Sequence, residues 1–167
     1  MKTLAECLIL LVDDTETNLD ILVDALGEDH DVAVATDGPS ALALAKEHTP
    51  DLILLDIMMP GMDGYEVCRR LMADPATADV PVIFLTALTD VADKTRGFAA
   101  GGVDYVTKPF EPAEIKARAR THLSLRLARQ ELSRQNEILE EKVRERTREL
   151  ALTQDAIIEA MAGLAEY

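Results

Sequence analysis

Leu8-Ile9-Leu10-Leu11-Val12-Asp13-Asp14 is an unbroken run of five apolar residues closed by two carboxylates. A run this short, without polar alternation, predicts a strand covered on both faces, as in a parallel sheet. The residues that follow support this. Thr15-Glu16-Thr17-Asn18 supplies helix-start chemistry, Leu19, Leu22, Val23 and Leu26 recur at helical spacing, and Gly27 suits a helix exit. Further along the chain the same unit returns. Val32–Thr36 reads as a second strand, followed by a helix over Ser40–Glu47 that ends before Pro50. Leu52–Leu55 is a third buried strand, ending at Asp56, and after the loop Pro60–Gly64 comes a helix over Tyr65–Ala73. Val82–Leu85 is a fourth, ending at Thr86, with a helix from Val91 to Ala100 closed by Gly101-Gly102. Val103–Val106 is a weaker fifth, ending at Lys108-Pro109, and Glu111 opens the last helix. Five βα units predict a parallel sheet with helices on both faces.

In such sheets ligands bind beyond the carboxyl ends of the strands, where the strand order switches. The strand-end residues are Asp13, Asp14, Asp56, Thr86 and Lys108. Three carboxylates brought to one rim repel one another, and a hard divalent cation with oxygen ligands relieves that repulsion. Mg²⁺, with few carboxylates, water and phosphate oxygens, suits this set, and Mn²⁺ is the alternative. An ionised Asp beside such a cation can attack a phosphoryl group, while a Lys and a hydroxyl neutralise and bind the phosphoryl oxygens. Any one of these acids alone could be a helix cap; five compatible residues at successive strand ends are poorly explained that way.

Composition sets the outer bounds. The chain has 167 residues, 48% of them hydrophobic, enough for a core, and a net charge of −14. That charge is uneven: residues 1–110 hold 20 acids against 7 bases, and residues 111–167 hold 11 against 10. The acidity argues against a nucleic-acid binder, and no stretch is apolar enough to span a bilayer. The start Met1–Cys7 lacks a secretory pattern. Cys7 and Cys68 are too few for a disulfide framework or a zinc site, so a reducing, cytoplasmic setting is expected.

Four stretches carry a resemblance. Leu10-Leu11-Val12-Asp13-Asp14, then Asp51-Leu52-Ile53-Leu54-Leu55-Asp56-Ile57-Met58-Met59-Pro60-Gly61-Met62-Asp63-Gly64, then Phe84-Leu85-Thr86-Ala87, then Asp104-Tyr105-Val106-Thr107-Lys108-Pro109-Phe110 closely resemble the receiver domain of two-component response regulators. The resemblance covers about residues 6–122, in order and spacing. It implies a flavodoxin-like (βα)5 doubly wound sheet of strand order 2-1-3-4-5. It also implies that Asp56 accepts a phosphoryl group from a histidine kinase or phosphotransfer protein. Asp14 and Asp56 would be direct Mg²⁺ ligands with the Met58 backbone carbonyl, and Asp13 would act through water. Thr86 would move onto the phosphoryl group, Lys108 would pair with a phosphoryl oxygen, and Tyr105 would swing inward on activation. Lys108–Pro109 stands where the family often has a cis bond. Met58 and Leu88, two residues beyond Asp56 and Thr86, are apolar where the family places groups that can orient water, so slow self-dephosphorylation is expected.

Elsewhere the plain readings are preferred. His30, His48 and His122 stand at no metal spacing and are expected to be solvated or at caps. Cys68 is expected to be partly buried and unreactive. Asp63 is expected to cap the helix after it, and Arg69-Arg70 to form a solvated face.

Glu111–Glu166 contains one Pro, at 112, and one Gly, so a single helix of roughly 80 Å is predicted at ~1.5 Å per residue. Leu125, Leu132, Leu139, Arg146, Thr153 and Ala160 fall at d, and Arg129, Asn136, Val143, Leu150, Ile157 and Leu164 at a. Such a seam predicts a parallel homodimeric coiled coil, with Asn136 favouring two in-register strands and Arg129, Arg146 and Thr153 weakening it. A trimer and a solvated single helix are the alternatives. The expected organisation is a receiver over 1–122 and a coiled-coil signalling helix over 123–167.

Val143–Leu150 resembles linkers that join sensory domains to output enzymes, and Ala156–Tyr167 resembles the entry helix of HD-GYP cyclic di-GMP phosphodiesterases that carry a receiver. Those similarities imply a piece of a longer regulator whose phosphodiesterase lies outside this chain, leaving self-phosphoryl transfer as its own chemistry. The competing readings are a linker to a diguanylate cyclase or a histidine kinase, a stand-alone dimeric interaction protein, and a Mg²⁺-dependent aspartate-nucleophile phosphatase. The phosphatase lacks the second acid such enzymes use, because Met58 occupies its position.

Overall fold

The computed structural model describes residues 2–87 and 91–165, with the backbone alone for Val91 and Ala92. A short 3-10 turn, Leu4–Glu6, precedes β1 (Leu8–Val12). The chain continues through α1 (Glu16–Leu26), β2 (Asp31–Ala35), α2 (Gly38–His48), β3 (Leu52–Asp56) and α3 (Gly64–Ala73). It ends with β4 (Val82–Thr86), α4 (Val91–Ala99), β5 (Asp104–Thr107) and α5 (Pro112–Ala165). The strands form one five-stranded sheet in the order β2-β1-β3-β4-β5, and every adjacent pair is parallel. This is the flavodoxin-like (βα)5 arrangement.

Strand alternation sorts the apolar side chains into two cores. Leu10, Val12, Ile53, Leu55, Val82 and Phe84 face Ala41 and Ala45 of α2 and Val67, Cys68 and Leu71 of α3. Ile9, Leu11, Leu52, Leu54, Ile83 and Leu85 face Leu19, Leu22 and Leu26 of α1 and Ile115, Ala119 and Leu123 of α5. Central strands buried on both faces need no polar alternation, which is why β1, β3 and β4 read as continuous apolar runs. The edge strands β2 and β5 are only partly buried and carry the weaker signal.

Several boundaries differ from those expected. β2 and β5 are displaced by one residue, toward the N-terminus and C-terminus respectively. α2 starts two residues early because Asp37 caps it: its side chain accepts from the Ser40 N–H at 2.8 Å, and Pro39 suits the first turn. Gly27 does close α1, but with φ −70, so that exit uses none of glycine's freedom. Positive φ is found instead at Thr49, φ 44, after α2, and at Gly61 and Gly101, with φ 79 and 107. Asp63 caps α3 as expected, accepting from Glu66 N–H at 2.8 Å.

Two histidines and one cysteine also depart from expectation. His30 is tied through Nδ1 to the Leu4 carbonyl at 2.8 Å. His122 is largely buried, with Nε2 at 3.0 Å from Asp104, which also accepts from Arg118 at 2.7 Å. Packing of α5 on β5 creates that pairing, which chain spacing does not announce. Cys68 is wholly buried, and burial pushes its thiol up to about 11.

At the pole of the sheet opposite the strand ends, buried Asp51 accepts from Lys2 Nζ at 2.6 Å and from the Leu8 N–H at 2.9 Å. Arg126 lies 3.8 Å from the same carboxylate and donates to the Asp79 carbonyl. The chain divides into two compact units, one running to Leu127 and the other from Ala128. In the second, Leu132, Leu139, Val143, Leu150, Ile157 and Leu164 are each more than half exposed. No helix among the described residues is long and apolar enough to cross a membrane.

Candidate functional site

The order β2-β1-β3 means that the chain leaves β1 toward one side of the sheet and returns to form β3 on the other. The switch therefore lies between the carboxyl ends of β1 and β3. β1 delivers Asp13 and Asp14 there, and the last residue of β3 is Asp56. Carboxylate oxygens of Asp13, Asp14 and Asp56 lie within 4.8 Å of one another. Asp13 and Asp56 are buried and Asp14 is exposed, so the cluster opens to solvent on one side. The donor set is all hard oxygen and carries three formal negative charges, which fits a divalent cation such as Mg²⁺ or Mn²⁺.

Lys108, just beyond β5, bridges the two buried acids, with Nζ 2.9 Å from Asp13 Oδ2 and 3.0 Å from Asp56 Oδ1. Burial works against its ammonium, but the bonds to Asp13 and Asp56 outweigh it and hold its pKa above the ordinary lysine value. Burial, aided by the nearby Asp13 charge, pushes the Asp56 carboxyl above the usual carboxylate range against the pull of Lys108. An Asp56 destabilised as an anion is a better target for added positive charge. The Lys108–Pro109 bond is cis.

Asp13 has further support. Its carboxylate accepts from the Thr15 N–H at 2.9 Å and from the Asn18 amide, at 3.2 Å to Oδ1 and 3.0 Å to Oδ2. Sequence reasoning used Asn18 only as helix-start chemistry; its position in the first turn of α1, five residues after Asp13, was the available signal. The Met58 N–H donates to Asp56 Oδ1 at 3.3 Å, and the Met58 side chain is 66% exposed at the rim. Leu88 lies outside the described residues.

Thr86 ends β4 and is buried. It lines a small pocket with Ile57, Phe84, Lys94, Phe98 and Tyr105. Tyr105 Oη accepts from Lys94 Nζ at 2.9 Å, and its ring stands edge-on to Phe98 with centroids 6.2 Å apart. The structure thus brings Asp13, Asp14, Asp56 and Lys108 into one cluster, and Thr86 and Tyr105 onto one pocket.

Gly64 fixes the loop after β3 against this cluster. Its N–H donates to the Ile57 carbonyl at 2.9 Å, and a Cβ there would meet the Asp56 carbonyl oxygen and stand 2.8 Å from Ile57 Cα. Backbone cannot yield as a flexible side chain can. Gly64→Ala is therefore expected to destabilise the protein by about 3 kcal/mol, the upper range for overpacking. Denaturant unfolding would measure it, and a loss under about 0.5 kcal/mol, ordinary for an unconstrained surface site, would show that the loop has room.

Comparison with known proteins follows the same lines. Residues 9–120 match the response regulator receiver domain family. A "Probable cyclic di-GMP phosphodiesterase" of Vibrio cholerae is 40% identical over 166 residues, 99% of this chain and 38% of that protein. The response regulator PleD of Caulobacter vibrioides is 46% identical over 125 residues, 74% of this chain and 28% of that one. The chain thus spans well under half the length of these two relatives. Among solved structures, a Francisella response regulator receiver domain superposes with a TM-score of 0.67 at 32% identity, covering 71% of this chain and 98% of that one. The chemotaxis protein CheY4 of Vibrio cholerae gives 0.66 at 29%, covering 71% and 99%. A match to the family across most of the sheet, joined to this fold and this strand-end cluster, leaves one conclusion: the chain belongs to the receiver domains of response regulators.

Proposed function

We propose that Asp56 is the phosphoacceptor and that the chain is a phosphorylation-controlled switch relaying its state through a dimeric helix. The Lys108 bridge between buried Asp13 and Asp56, beside Asp14, is the observation that carries this reading. An Asp56 oxygen would attack phosphorus of a phosphohistidine in a histidine kinase or phosphotransfer protein. The O–P bond forms as the P–N bond breaks, and the electron pair leaves with the imidazole. Asp14, Asp56 and the Met58 carbonyl would hold Mg²⁺ directly and Asp13 through water. Bound there, the cation would neutralise charge developing on the phosphoryl oxygens. Lys108 then turns to a phosphoryl oxygen, Thr86 hydrogen-bonds another, and Tyr105 leaves Lys94 for the space beside Thr86. Incubation of the chain with acetyl phosphate should add one acid-stable, base-labile phosphoryl group, by mass, with Mg²⁺ and none without it. No Mg²⁺-dependent addition would refute the proposal.

Residues 1–122 would form the receiver and 123–167 the signalling helix. The phosphodiesterase-named relative matches over 166 residues, well into α5, whereas the PleD match spans 125. That longer likeness supports an HD-GYP cyclic di-GMP phosphodiesterase as the output in the full regulator, in the cytoplasm.

Met58 gives a kinetic prediction. A thioether cannot orient water by a strong hydrogen bond. Met58→Asn should shorten the phosphoryl lifetime about fivefold, what one hydrogen bond of about 1 kcal/mol supplies. Time-resolved mass measurement reads it, and an unchanged lifetime would remove Met58 from the explanation.

A further inference from the structure

Asp13 is wholly buried, and each of its oxygens has two donors. Thr15 N–H and Asn18 Nδ2 reach Oδ1; Asn18 Nδ2 and Lys108 Nζ reach Oδ2. Lys108 is the one cation paired with Asp13 among the described residues. It is also the group that phosphoryl transfer demands, because it already touches Asp56. When Lys108 turns to a phosphoryl oxygen, Asp13 Oδ2 loses its charged donor while staying buried. A buried carboxylate stripped of a partner is strongly destabilised. The Asn18 amide spans both oxygens and does not depend on Lys108.

We infer that Asn18 is a positioning residue that keeps Asp13 fixed, with both oxygens hydrogen-bonded, while Lys108 is handed from Asp13 to the phosphoryl group. This rests on the assignment of Asp56 as acceptor. Local geometry suits the role. Asn18 lies in the first turn of α1 beside Leu19, which is buried in the core and anchors that turn. Thr15, the helix N-cap, makes no side-chain capping bond; its N–H serves Asp13 instead. The start of α1 is thus wrapped around the carboxylate, and its positive dipole end faces it. A neutral amide fits better than a second cation, which would compete for the phosphoryl oxygens.

The inference predicts a split between two affinities of the full chain. Without a phosphoryl mimic, Lys108 still holds Asp13, so Asn18→Ala should change the calorimetric Mg²⁺ affinity less than about twofold. With saturating Mg²⁺, beryllofluoride affinity should fall about tenfold, the worth of a hydrogen bond to a charged group. In a Lys108→Ala background, where Asn18 is the remaining side-chain donor, Asn18→Ala should lower Mg²⁺ affinity itself about tenfold. Asn18→Ser, too short to span both oxygens, should give the same split if Asn18→Ala loosens α1. Equal losses of Mg²⁺ and beryllofluoride affinity would make Asn18 merely structural and overturn the inference, as would no loss of either. If instead Asp56→Asn binds beryllofluoride as tightly as wild type, the acceptor assignment fails, independently of what Asn18 does.

Discussion

Asp56→Asn is expected to abolish phosphoryl acceptance, with a fall in rate of at least about 100-fold, because the attacking oxygen is replaced by a weakly nucleophilic amide. The change is nearly isosteric and keeps an oxygen that Lys108 Nζ, now 3.0 Å from Asp56 Oδ1, can still reach. Loss of function should therefore occur without loss of fold. A second readout concerns stability against pH. Burial and the charge of Asp13 raise the folded Asp56 pKa above its unfolded value. Protonated Asp56 thus favours the fold, a contribution fully present below the unfolded pKa of about 4 and lost as pH rises through the higher folded value. The cation-free wild type should lose that stability across this window, and Asp56→Asn should not. Asp104 titrates in the opposite sense: burial opposes its charged form, but bonds from His122 and Arg118 prevail and lower its pKa. Its contribution, gained as pH rises, is common to both proteins and cancels in their difference. Saturating Mg²⁺ should restore stability to the wild type more than to the variant. Phosphorylation of Asp56→Asn at the wild-type rate would place the acceptor elsewhere, and parallel stability curves would remove Asp56 from the acidic strain.

The parts of this site that were legible in the sequence are those fixed by strand endings. A parallel sheet with short crossovers brings the residue after each apolar run to one rim, whatever the helix packing. Asp13, Asp14, Asp56, Thr86 and Lys108 could be found in that way because each stands at or just beyond the end of a strand. Contacts that depend on how a helix meets the sheet were not visible. Asn18 reaches back to Asp13 because α1 starts immediately beyond that carboxylate. His122 meets Asp104 because α5 packs along β5, and Lys94 meets Tyr105 because α4 lies over the same strand. Asp51 gathers Lys2, the Leu8 N–H and Arg126 across long stretches of chain. Period and propensity encode none of these pairings. The apolar seam of α5 is the opposite case: its spacing is plain in the sequence, and a single chain leaves it uncovered.

That uncovered seam supports the second large effect. Leu132, Leu139, Val143, Leu150, Ile157 and Leu164 recur on one stripe and stay exposed on one chain. Burying a leucine is worth about 1.5–3 kcal/mol, and a symmetric pair buries each position twice. Leu139→Lys with Leu150→Lys would place like charges against each other at two layers as well as losing that burial. The double variant should weaken self-association by at least about 1,000-fold, or roughly 4 kcal/mol, from lost burial alone. Sedimentation across a range of concentrations would show a dimer for the wild type and a monomer for the variant. Both substitutions lie beyond Leu127, outside the first compact unit, so Mg²⁺-dependent phosphorylation of Asp56 should be unchanged and serves as the folding control. Asn136→Val should act oppositely, tightening association while relaxing the choice of two strands, because a polar a position gives specificity at a cost in stability. A wild type that sediments as a monomer at all concentrations would refute the coiled coil and leave the phosphoryl site standing. If instead the wild type is a dimer whose affinity shifts with beryllofluoride while the lysine variant stays monomeric and still binds it, the seam carries the signal and the acidic rim generates it.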